Sequence, residues 1–100
     1  MAQKFVINDN RLILGQVDFH KELCKDNTKT VGGGYWHLDS ERGILYLYGI
    51  SVDYGPVTKA QLEAADKFPY GEKFTIFFTL HFTLNNAIAE FEKQHAHAIV

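Results

Sequence analysis

Apolar residues along this chain fall in short runs separated by turn-forming polar residues. That rhythm belongs to a sheet-based domain with a few helices. Two such runs, residues 4–7 and 11–14, lie either side of Asn8-Asp9-Asn10. Asn and Asp tolerate the left-handed backbone region and bond their own main chain, so 4–14 is predicted to form a hairpin, which Gly15 interrupts. Asp18 is placed to cap a short helix over 19–25. Residues 26–30 read as a polar, mobile connection. Residues 35–38 and 44–48 form a second antiparallel pair, with Gly43 supplying the left-handed position of the loop 39–43. In the second of these strands Ile44, Tyr46 and Tyr48 share one face, and Leu45 and Leu47 the other. Both faces are apolar, which predicts a central strand covered on each side. Thr58 is a candidate N-cap for a helix reaching Ala65 or Asp66, with a weak stripe at Ala60, Leu62 and Ala65. Pro69-Tyr70-Gly71 ends that unit. Residues 73–80, rich in Phe, Ile and Thr, give the strongest strand signal. Leu84, Ile88 and Phe91 recur at helical spacing and predict a C-terminal helix beginning at 84–85 and ending between 95 and 97. The expected fold is α+β (mixed α/β), with one mixed sheet and two to three helices.

One hundred residues make one domain with one modest core, burying roughly 60–65% of the unfolded surface. Net charge is −2, with no basic run, which argues against non-specific nucleic-acid binding. No stretch approaches the ~18 apolar residues of a membrane span, and the first residues lack the apolar core of a secretory leader. The single cysteine, Cys24, has no internal partner for a disulfide. These features point to a reducing, cytoplasmic setting. Beside Leu23, Cys24 reads as a small core residue rather than a nucleophile.

Candidate chemistry concentrates in two blocks, Gly32-Gly33-Gly34 and Tyr48-Gly49-Ile50-Ser51-Val52-Asp53-Tyr54-Gly55-Pro56. Three consecutive glycines remove every Cβ from one predicted turn, where the chain can take φ > 0 and approach a ligand, or its own backbone, closely. Glycine-lined turns beside a Ser hydroxyl suit an anion-binding nest, and they equally suit an ordinary tight corner. Tyr35 and Trp36 can floor a small pocket or pack on a sheet face with Tyr46 and Tyr48. His20, His37, His81, His95 and His97 contain no His-x-x-x-His pair, and no Cys-x-x-Cys accompanies them, so no metal or cofactor is expected.

Residues 4–7, Phe19-His20, the glycine triplet and Tyr48-Gly49-x-Ser51-x-x-Tyr54-Gly55-Pro56 come in the same order as in the janus/ocnus family, which this chain resembles over residues 4–79. The family is a small mixed α/β domain that removes phosphate from phosphohistidine. The resemblance implies that His20 acts as general base or transient nucleophile, since imidazole takes a proton near neutral pH. It implies that Lys4 holds an anion, and that Ser51, Val52 and Asp53 form a phosphate cradle beside Gly33, Gly34 and Tyr35. Three departures stand out. Tyr35 replaces the family's arginine after the triplet, Leu14 stands near the position of its upstream arginine, and Asp53 replaces a small neutral cradle residue. Two unit charges about 4 Å apart repel by about 4 kcal/mol at an effective dielectric of about 20, so Asp53 opposes a phosphate dianion. The lost guanidiniums remove bidentate clamps.

Two readings of function follow. In one, a divergent phosphohistidine phosphatase-like domain keeps a pocket between His20 and the 49–56 turn and takes a small anionic or neutral ligand or a phosphoprotein, as a weak hydrolase or a binder. Asp53 then either orients His20 or is an exposed turn residue, and His20 is either a base or is held by Asp18 or a backbone carbonyl. In the other, the chain is a non-catalytic interaction module or homodimeric scaffold. Its C-terminal helix is then either a core helix or a dimer stripe.

Overall fold

A computed structural model describes residues 1–95. The sequence expectations for His97 and for helix beyond 95 lie outside the described residues. Five strands form one sheet in the order β2-β1-β3-β4-β5, where β1 is Ala2–Asn8, β2 Arg11–Val17, β3 Thr30–Asp39, β4 Ile44–Tyr48 and β5 Thr75–Phe78. The first four are antiparallel neighbours, and β5 lies parallel to β4. A parallel neighbour needs a crossover. It is supplied by α1 (Lys59–Ala64) and the single turn α2 (Tyr70–Lys73), and α3 (Leu84–His95) follows β5. The expected α+β fold with a mixed sheet is what the chain adopts.

The hairpin forms because Asp9 and Asn10 both take positive φ, 50° and 62°, in the turn between β1 and β2. Gly15 does not interrupt it. Strand β2 runs through to Val17, and the bare face of Gly15 makes room for the Leu23 side chain. Thr58 caps α1 as expected, accepting from the Gln61 N–H at 3.1 Å while the Gln61 side chain accepts from the Thr58 N–H at 2.9 Å. The helix expected over 19–25 is a single 3-10 turn, His20–Leu23. Its first free N–H, that of Phe19, is met by Glu22 at 2.8 Å rather than by Asp18, which faces the chain's amino terminus at 3.7 Å. The segment read as a mobile connection is a tied turn: Asp26 accepts from the Thr28 N–H, and the buried Asn8 amide donates to Asp26 and Thr30. Strand β5 is shorter than expected because Tyr70–Lys73 winds into a helical turn, closed by the Phe74 N–H on the Tyr70 carbonyl.

The two faces of β4 are both covered. On one face Phe5, Ile7, Leu45 and Leu47 pack with Val57, Leu62 and Ala65. On the other, Ile44 and Tyr46 meet Ala87, with Ile88 and Phe91 of α3 packed alongside. Tyr46, Phe77 and Phe91 form three edge-to-face pairs at 5.2–6.2 Å, a geometry worth about 0.5–1.5 kcal/mol per pair beyond burial. The apolar stripe of α3 is therefore core. No helix among the described residues is long and apolar enough to cross a membrane.

The glycine triplet is not a turn. It lies inside β3 with ordinary strand pairing, Gly32, Gly33 and Gly34 opposite Ile7, Val6 and Phe5. Glycine is required there because both faces are crossed at contact distance. A Cβ on Gly34 would lie 2.5 Å from the Tyr48 carbonyl oxygen and 2.9 Å from that of Gly49, and one on Gly32 would strike the Pro56 carbonyl. On the opposite face a Cβ on Gly33 would sit 3.2 Å from His20 Cδ2.

Backbone carbonyls cannot step aside as a flexible side chain can. Gly34→Ala is expected to lower unfolding free energy by about 1–3 kcal/mol, in the range of overpacking. Gly15→Ala, which meets only the tip of Leu23, is expected to lower it by less. Urea unfolding of the two variants checks the order.

Candidate functional site

Strand β4 ends at Tyr48, opposite Tyr35, so the edge of β3 beyond that row is open to other partners. The chain turns sharply at Gly49 (φ 73°) and again at Gly55 (φ 77°), and the corner between them docks on that edge. The Ser51 N–H donates to the Gly33 carbonyl at 2.9 Å, and the Gly33 N–H donates to the Gly55 carbonyl at 3.1 Å. Within the corner the Gly55 N–H bonds the Ser51 carbonyl, and the Tyr54 N–H donates to Ser51 Oγ at 3.2 Å. The Tyr54 hydroxyl then reaches Asn27 at 2.8 Å, tying the corner to the turn region on the other side. Ser51 is 1% exposed and Val52 is 93% exposed.

These bonds sort the expected anion donors. The main chain of Gly33 and the N–H groups of Ser51, Tyr54 and Gly55 are already engaged, so the triplet forms a floor rather than a nest. The Ser51 hydroxyl accepts from the turn it stabilises. The N–H groups of Val52 and Asp53, at the tip, have no hydrogen-bond partner among the described residues.

His20 lies over Gly33 and is 3% exposed. Its Nε2 is 2.7 Å from the Gly34 carbonyl oxygen, and a carbonyl can only accept, so Nε2 carries the proton. Nδ1 therefore holds the lone pair in the neutral ring. Nδ1 has no hydrogen-bond partner among the described residues, and the ring as a whole is buried. Tyr35 meets the imidazole edge-on at 5.6 Å and Tyr48 in turn at 5.9 Å. Lys4 shares the row of Tyr35 and Tyr48 across the sheet, donates its amine to the Asp18 carbonyl, and lies 5.9 Å from the Phe19 ring.

Burial is the main cause that pushes the His20 pKa below its ordinary value, with the Lys4 charge acting in the same direction. The Gly34 hydrogen bond and the Asp53 carboxylate oppose it. Lys4 and Asp53 thus each act on His20, although the hydrogen bond that orients the ring goes to a backbone carbonyl and not to Asp53 or Asp18. The arrangement provides a neutral, orientation-fixed imidazole with one unpartnered nitrogen, a cation and an anion that act on it, and two free N–H groups at the corner.

Of the partners the sequence offered for His20, the structure selects a backbone carbonyl, that of Gly34, over Asp18. Sequence reasoning missed the wall made by the loop after β5, where the Gly49 N–H donates to the His81 carbonyl at 2.8 Å and Phe82 is 76% exposed. Nothing in the spacing between residues 49 and 81 announces that contact. Four surface cavities, of about 680, 580, 430 and 390 Å³, are lined by other residues, so the expected pocket between His20 and the corner is none of them. No group of three His, Cys, Asp or Glu among the described residues could hold a metal. Comparison with protein families, curated proteins and solved structures finds no match.

Folding favours neutral His20, so on acidification the unfolded chain takes up the proton first. The stabilisation is whole above pH 6.5, the ordinary value, and is lost as pH falls from there through the folded pKa. An NMR titration of the imidazole is expected to place His20 below 6.5, with Asp53→Asn moving it further down and Lys4→Gln moving it up.

Proposed function

We propose that this chain is a divergent member of the janus/ocnus, phosphohistidine phosphatase-like group, with His20 Nδ1 as base or transient nucleophile toward a phosphoryl-bearing ligand. The observation that carries the reading is the 2.7 Å bond from His20 Nε2 to the Gly34 carbonyl, which leaves Nδ1 as the unprotonated nitrogen of the neutral ring, with no hydrogen-bond partner among the described residues. A lowered pKa keeps that nitrogen available at neutral pH, as either role requires. As nucleophile, Nδ1 forms a P–N bond while the ligand's own P–N bond breaks and its nitrogen leaves with the electron pair and a solvent proton. Water then displaces phosphate and restores the ring. As base, Nδ1 takes the proton of the attacking water instead.

Lys4 and the Val52 and Asp53 N–H groups are the anion partners in this reading, and Ser51 is the residue that shapes the corner. Asp53 sets the limit. A carboxylate among the anion partners disfavours a phosphate dianion, so the ligand expected here is a less charged one, a phosphoramidate monoanion or a neutral analogue, free or carried on a phosphoprotein. With Tyr35 in place of an arginine, hydrolysis is expected to be weak.

Titration with inorganic phosphate and with phosphoramidate, followed through the amides of Gly33, Gly34, Val52 and Asp53, tests the proposal. Saturable shifts with phosphoramidate are expected. Asp53→Asn should strengthen phosphate binding by about tenfold, equivalent to about 1.4 kcal/mol, and His20→Ala should abolish hydrolysis of phosphoramidate with the fold retained. Absence of shifts at millimolar ligand in both proteins would remove the anion site and leave the interaction-module reading.

A further inference from the structure

The two edges of the sheet are treated differently by the fold. On the β2 side, Asp66 pairs with the outer edge: its carbonyl accepts from the Leu12 N–H at 2.9 Å, and its N–H donates to the Asn10 carbonyl at 2.8 Å. On the β5 side, none of the described residues does so. The Thr75 and Thr79 N–H groups donate inward, to Gly43 and Leu47 at the two ends of the pairing with β4. The alternation of a parallel ladder then turns the N–H and C=O groups of Ile76 and Phe78 outward, one donor and one acceptor from each. This open edge runs along a groove of about 390 Å³ flanked by α1 and by Gln94 of α3, with Leu62, Ile76 and Phe78 contributing apolar lining.

We infer that this groove receives an extended segment of a partner protein, which adds a strand to β5. Four outward main-chain groups in a row call for an extended backbone rather than a helix or a compact small molecule. The walls specify its side chains. On α1 the groove is lined by Lys59 and Glu63, neither of which forms an ion pair among the described residues. A third charge, Lys67, is engaged in capping α1, donating to the Leu62, Glu63 and Ala65 carbonyls. Lys59 and Glu63 are four positions apart on the helix, about 6 Å along its axis. Residues two apart on a strand lie on one face about 6.6–6.8 Å apart. The matching segment therefore carries an acidic and a basic residue two positions apart toward α1, and its alternate positions face Phe77 and Gln94 on the other side of the sheet. A second copy of this chain is a poorer occupant. Two four-residue strands meeting edge to edge bury far less than the roughly 1,600 Å² of a standard interface.

The test uses a short synthetic peptide of alternating valine with one glutamate and one lysine two positions apart, and the same peptide N-methylated at alternate amides. With the wild-type protein, the unmodified peptide is expected to give saturable NMR shifts at the Ile76 and Phe78 amides and to slow their hydrogen exchange. N-methylation should weaken binding more than tenfold, and Lys59→Glu should weaken it about two- to fivefold, the range of an exposed ion pair. Equal binding of the N-methylated peptide, no shifts at millimolar peptide, or the same shifts on concentrating the protein alone would each overturn the inference.

Discussion

Everything at the centre of this domain depends on the bare backbone of Gly32, Gly33 and Gly34. Strand β3 passes between two pieces of chain that approach to contact distance, the 49–57 segment on one side and the His20 turn on the other. Any Cβ would hold one of them away. With none, Gly33 uses its N–H and carbonyl to bind the corner at Ser51 and Gly55, while Gly34 turns its carbonyl to His20. One stretch of three residues thus fixes the position of the corner, the seat of the imidazole and the ring nitrogen that stays free.

The electrostatics follow from that seat. A ring laid on a glycine strand is desolvated, and desolvation disfavours its cationic form. Lys4 and Asp53 pull in opposite directions on the same ring. Lys4 shares its row with Tyr35 and Tyr48, so the cation stands beside aromatic surface. Exposed Phe19 beside Lys4, with Val52 and Phe82 on the corner and its wall, extends that apolar character toward solvent.

Much of the fold was legible in the sequence where local chemistry and tertiary packing agree. The Asn-Asp-Asn turn, the Thr58 N-cap and the two-faced β4 strand each read correctly because the signal lies within a few residues. The glycine triplet misled for a physical reason. Glycine signals a turn when conformation demands it, but also a strand when neighbours demand space, and only the position of residues 48–57 distinguishes the two. The short turn at His20 misled similarly, since Glu22 rather than Asp18 meets its first N–H. At the site, the sequence singled out His20, Lys4 and Asp53, and the structure gives Lys4 and Asp53 opposite electrostatic effects on a buried His20. The sequence offered a backbone carbonyl as one partner for His20 but had no means of choosing Gly34, or of finding the 79–82 wall, which are main-chain contacts without a side-chain signature.

The central claim is that His20 is held as the neutral Nε2–H tautomer with Nδ1 carrying the lone pair. Long-range proton–nitrogen correlation NMR of the imidazole at neutral pH measures this directly. The expected spectrum shows a protonated Nε2 and a pyridine-like Nδ1. A proton on Nδ1, or a ring already cationic at neutral pH, would contradict it.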